Sequence, residues 1–94
     1  NIRTSKDKQL QEIAFTIQDE INLASKSSEG YSREFIIQSK INNEDYTIDV
    51  VDNIVYLKTS DNRNSIALPI QKITGNIVKG ENIIKKQDGN IYVN

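Results

Sequence analysis

Residues 4–28, TSKDKQLQEIAFTIQDEINLASKSS, carry the one long helical pattern in the chain, and reading that pattern decides the fold. At about 100° per residue, Leu10, Ile13, Ala14, Ile17, Ile21 and Ala24 share one stripe, wide enough to need cover from the rest of the chain. Phe15 and Leu23 fall on the opposite side, where Lys8, Glu12 and Asp19 also project. A helix that buries one stripe in its own domain has no internal use for two large apolar residues on its back. Either the strands that follow curl round and cover them, or they form a packing face for other copies, with Phe15, Leu23, Glu12 and Asp19 as its residues.

The ends of the segment carry their own signals. Thr4 followed by Asp7 resembles a capping box, with Ser5 as a second N-cap candidate, so a start near residue 5 is expected; the alternative is a helix already running through residues 1–6 from upstream. Lys26, the serines around it and Gly30 are expected to stop the helix near residue 28.

From Tyr31 onward the period changes to two, and short β-branched and aromatic runs alternate with turn chemistry. Strands are expected over residues 33–41, 46–51, 54–59, 65–68, 76–78, 82–86 and 90–93. Asp52-Asn53 and Asp88-Gly89 are two-residue hairpin turns, and Pro69 marks an edge or an ending because it has no N–H for a central ladder. The pattern reads as an α+β fold in one domain over residues 1–94. An N-terminal amphipathic helix (residues 1–28) packs on an antiparallel domain (29–94) of about seven short strands, as a sandwich or a partly open barrel.

Composition narrows the function. Ninety-four residues are enough for one core, burying roughly 60–65% of the unfolded chain's surface, and not for two. With 12 basic and 13 acidic residues the net charge is −1, and the basic residues are scattered, so no nucleic-acid partner is expected. His and Cys are both absent, which removes Ser-His-Asp and Cys-His chemistry and the usual zinc ligands. The remaining carboxylate pairs, Asp19/Glu20, Glu44/Asp45 and Asp49/Asp52, sit in or beside turns or on the helix and read as solvated charge; no enzyme, metal or cofactor is expected. The glycines at 75 and 80 have the outer spacing of a phosphate loop without the Lys-Ser/Thr that would follow it. Tyr31, Tyr46, Tyr56 and Tyr92 either close the edges of the β core or line a groove, with Tyr56 and Tyr92 the candidate ligand residues.

The order Ala24, Gly30-Tyr31-x-Arg33-x-Phe35, Tyr46-x-Ile48, Val55-Tyr56-Leu57, Leu68-Pro69, Ile73-x-Gly75, Gly80-x-Asn82-x-Ile84 and Gly89-x-Ile91 resembles the soluble part of archaeal type IV pilin-like proteins. Gln38 stands where that family would carry a proline. The resemblance implies a class III signal peptide and a hydrophobic stalk ahead of residue 1, fitting a chain that opens on Asn and has no Met. It implies a cell-surface or extracellular filament subunit whose partners are other copies of itself, which touches the membrane only through the stalk and is monomeric without it. The alternative is a surface binding module, an adhesin or minor tip subunit, that reads a glycan or protein ligand through the tyrosines and the 60–65 loop.

Overall fold

The computed structural model describes residues 2–94, with side chains from residue 5 on. Helix α1 spans Ile2–Lys26 and is followed by β1 (Ser32–Ile37), β2 (Tyr46–Val51), β3 (Ile54–Thr59), β4 (Ser65–Pro69), β5 (Thr74–Gly75), β6 (Gly80–Gln87) and β7 (Asn90–Val93). The fold is α+β. The strands form two open sheets, one of four strands in the order β1-β6-β7-β5 and one of three in the order β2-β3-β4, and neither closes into a barrel.

All six residues of the helical stripe are buried, and they meet inward-facing residues of both sheets in one core. Phe35, Ile37, Ile84, Ile91 and Val93 come from the four-stranded sheet; Tyr46, Val55 and Leu57 come from the three-stranded one. Alternation along the strands produces this arrangement: β3 reads buried at Val55, Leu57 and Thr59, with Tyr56 and Lys58 outward between them. Each large apolar side chain so buried stabilises by roughly 1.5–3 kcal/mol, and the helix is the element whose stripe serves both sheets.

Several expectations are corrected. The helix begins upstream of the expected cap. The Thr4 side chain lies outside the described ones, but the backbone at Thr4 and Ser5 is already helical, and the Asp7 carboxylate accepts from Asn64 Nδ2 at 2.6 Å instead of closing a capping box. At the other end the helix stops at Lys26, two residues early, because Lys86 Nζ reaches across from β6 to donate to the Ser25 and Ser27 carbonyls, both at 2.8 Å.

The first strand ends at Ile37 and not at residue 41. Ile41 and Glu44 exchange two backbone hydrogen bonds of 2.8 Å around Asn42 and Asn43, both with positive φ, and this tight reversal draws the chain out of the sheet. The expected strand at 76–78 is absent. Its backbone groups are satisfied by asparagine side chains: Asn82 bonds both the N–H and the carbonyl of Val78, and Asn94 Nδ2 donates to the Asn76 carbonyl at 2.8 Å. In its place Thr74 and Gly75 pair in parallel with Tyr92 and Val93, which makes the four-stranded sheet mixed where a wholly antiparallel one was expected.

The two predicted two-residue hairpins form as read. Asp52 and Asn53 join β2 to β3, and Asp88 and Gly89 join β6 to β7, each pair with positive φ at both positions. Pro69 ends β4, an edge strand.

Candidate interaction surfaces

The back of α1 is uncovered. Phe15 and Leu23 are 42% and 43% exposed, and with Asp19 between them at i+4 spacing they form a line along the helix, with Glu12 exposed beside it. The strands do not curl round to reach them. What fixes this face outward is a set of polar ties along both flanks of the helix. Near the N-terminal end Lys6 pairs with Glu44 at 2.5 Å and Gln9 donates to Asn42 Oδ1 at 2.8 Å. Further along, Gln18 donates to the Pro69 carbonyl at 2.8 Å, Gln71 donates to Asn22 Oδ1 at 2.8 Å, and Arg33 faces Glu20 at 3.2 Å. The helix cannot roll about its axis without breaking ties on one flank or the other. The sequence reading missed these flanking residues; their positions at the borders of the apolar stripe are the signal that marks them.

The four tyrosines divide in two. Tyr46 is buried and Tyr31 half-buried, both in the core, whereas Tyr56 and Tyr92 are exposed on the outer faces of different sheets. Tyr56 stands opposite Asp49 on one side and the small Ala67 on the other, in a groove of about 450 Å³ that Thr47, Lys58 and Ser65 also line. Tyr92 stands between Lys85 and Thr74 and borders a polar cleft of about 440 Å³ at the end of the molecule where α1 stops. Tyr56 and Tyr92 therefore do not share a groove.

The 60–65 loop is occupied with itself. Asp61 Oδ1 accepts from the Arg63 N–H at 3.0 Å and from the Thr59 hydroxyl at 2.7 Å, and these bonds hold its carboxyl below the usual range. Asn64 is buried, its N–H donating to Thr59 Oγ1 at 3.2 Å and its amide to Asp7. These bonds tie the loop to the helix, while Asn62, Arg63 and Ser65 stay exposed.

Of the carboxylate pairs, Glu44 and Asp45 both have structural partners, and Glu20 faces Arg33. Glu44 binds Lys6 and accepts from the Ser60 hydroxyl at 3.2 Å. Asp45 pairs with Lys79, and that bond, with a second from the Tyr46 N–H, holds its carboxyl below the usual value. The same lysine donates to the Tyr46 carbonyl at 2.9 Å and sits 5.1 Å from the centre of the Tyr46 ring. A general acid needs its pKa raised, so Asp45 is tuned the wrong way for that task. Among the described residues no group of three or more acidic side chains converges as a metal site, and no helix is long and apolar enough to cross a membrane.

No family model, curated protein or solved structure matches the chain. The functional reading therefore rests on these surfaces.

Proposed function

We propose that the chain is the outer part of a structural subunit of an extracellular type IV pilus-like filament. In this reading a hydrophobic stalk ahead of residue 1 anchors the full-length protein in the membrane before assembly and then packs with other copies. Helix α1 continues the stalk, the two sheets face outward, and the subunit performs no catalysis. The observation that supports it is the Phe15–Asp19–Leu23 line, uncovered on a helix whose front is buried and whose roll is pinned on both flanks.

The dimensions agree with such a role. At about 1.5 Å per residue, the 25 residues of α1 run most of the length of a body 44 Å long, so the helix enters at one end and is its long axis. Phe15 and Leu23 are already more than half covered, so burying the rest would give roughly 1 kcal/mol each, enough to orient neighbours and far too little to hold a polymer without the stalk. Residues 1–94 alone are then monomeric.

The chain has no cysteine, so a single introduced thiol reports on one position. In the full-length protein expressed in its own cells, Glu12→Cys and Asp19→Cys, made as separate variants, retain Phe15 and Leu23 and should each give a covalent dimer with a short bis-maleimide, while Val51→Cys, at the exposed end of β2, should not. A full-length chain that sediments as a monomer without detergent, or a covalent dimer from position 51 alone, overturns the proposal.

The second reading, a surface binding module for a glycan or protein ligand, is favoured by the exposure of Tyr56 and Tyr92 at grooves. A glycan array with Tyr56→Ala and Tyr92→Ala controls separates it from a purely structural subunit, which shows no saturable ligand.

A further inference from the structure

We infer that the cleft beside Tyr92 is a binding site for an acidic saccharide, a sugar bearing a carboxylate. The inference rests on the second reading above, a surface module that binds a glycan, and names the ligand's class and its place. The cleft lies between the C-terminal end of α1, the segment 71–74 and the β6–β7 hairpin, and its volume of about 440 Å³ falls within the usual range for small-molecule sites, roughly 300–1,000 Å³.

The charge of its walls selects the ligand. Two lysines, Lys72 and Lys86, line the cleft, and no Asp or Glu does, in a chain whose net charge is −1. Lys86 spends two of its three N–H donors on the Ser25 and Ser27 carbonyls, which leaves one; Lys72 has neither an ion pair nor a hydrogen bond to another described residue. Glu29 braces one wall: its two oxygens accept from the N–H groups of Asp88 and Gly89 at 2.6 and 2.7 Å, which fixes the hairpin turn. Ammonium groups only donate, so a ligand here must bring strong acceptors, and a carboxylate is the fitting one.

The remaining lining matches a sugar better than a bare anion. Thr74 and Asn90 offer a hydroxyl and an amide, each able to donate and to accept, as ring hydroxyls require. Tyr92 at the rim provides an aromatic surface for the apolar face of a pyranose, with its own hydroxyl free for a polar contact. The cleft also sits at the end of the long axis opposite the start of α1, the end that an anchored subunit would present outward.

Amide chemical shifts of the 94-residue chain titrated with cellobiouronic acid, cellobiose and inorganic phosphate test the assignment. Saturable shifts confined to residues 71–74 and 86–92 are expected with the acid, with cellobiose and phosphate each binding at least about tenfold more weakly. Lys72→Ala and Tyr92→Ala, neither of which loses a bond within the fold, should each weaken the acid by a similar factor, and Lys72→Ala should flatten its salt dependence. Absence of saturation, equal binding of cellobiose, phosphate reproducing the shifts at the same concentration, or affinity indifferent to Lys72→Ala overturns it.

Discussion

Gly75 lies so close to the backbone carbonyl of Val93 that a Cβ at position 75 would overlap the carbonyl oxygen, and its φ of 108° is one that side chains rarely adopt. This approach is what lets a two-residue strand pair in parallel with β7. Gly75→Ala should cost at least about 2 kcal/mol in urea denaturation, since neither backbone can give way without breaking the pairing. Gly89→Ala, at positive φ but facing open space, should cost nearer about 1 kcal/mol.

Asn82 is fully buried on β6 and satisfied in every direction its amide allows. Its Oδ1 accepts from the Val78 N–H at 2.9 Å and from Asn94 Nδ2 at 3.0 Å, and its Nδ2 donates to the carbonyls of Val78 at 2.7 Å and Gly80 at 3.2 Å. Asn82→Leu keeps the branched shape, adds bulk to a buried position and strips four hydrogen bonds, so a loss of about 3 kcal/mol is expected in the same assay. Asn94→Ala, on the exposed side of the network, should cost about 1 kcal/mol.

The two faces of α1 should separate cleanly under mutation. Ile17 and Ile21 are wholly buried against the sheets, and truncating either to Ala should cost about 2–5 kcal/mol. Phe15→Ser and Leu23→Ser remove as much apolar surface from the sequence yet should leave the unfolding free energy of residues 1–94 within about 0.5 kcal/mol of the parent, as calorimetry would show. A large loss at Phe15 or Leu23 would mean that those side chains are covered within the domain.

The contrast between these faces shows what the sequence made legible. Period 3.6 in residues 10–24 and period 2 in β3 name their buried residues directly, because each is set by local geometry and a single contact surface. The Asp52-Asn53 and Asp88-Gly89 turns were readable for the same reason. The segment 76–78 was not. Its β-branched residues look like a strand, but its bonds go to the side chains of Asn82 and Asn94, partners that no local window contains. The parallel pairing of Gly75 likewise depends on where β7 arrives. Of the candidate surfaces, the exposed pair on the helix followed from the wheel; the lysines of the cleft, one on a connector and one on β6, come together only through the fold.

Tyr31 has a buried hydroxyl with no hydrogen-bond partner among the described residues, in a ring packed against the core. Removing that oxygen discards an unsatisfied polar group and keeps the packing. Tyr31→Phe should therefore be neutral or raise stability by up to about 1 kcal/mol, read as an unchanged or higher Tm.

The Asp45–Tyr46–Lys79 cluster should contribute at both pH limits of stability. The Lys79 bond and the Tyr46 N–H hold the Asp45 carboxyl below its unfolded value of 3.8, so its contribution is complete above that value and is lost as pH falls through the lower folded pKa. Asp45→Asn should accordingly reduce the acid limb of a stability–pH curve, and the alkaline limb should shrink in part, because the Asp45 charge is one of the two causes of the Tyr46 shift. Burial, then the neighbouring Asp45 charge, pushes the Tyr46 phenol up to about 12 from 10.0. Its contribution is complete below pH 10.0 and is lost as pH rises toward about 12, because the unfolded chain releases the proton first. Tyr46→Phe should flatten that alkaline loss, but it also removes the hydroxyl that donates to the Gln38 carbonyl, so stability at pH 7 should drop by about 1 kcal/mol. Stability alone does not isolate the tyrosine from other groups that lose protons in alkali. Tyrosinate absorbance does: the component missing from the Tyr46→Phe titration should have its midpoint near pH 12, and a midpoint near 10 would mean that the ring is not buried as described.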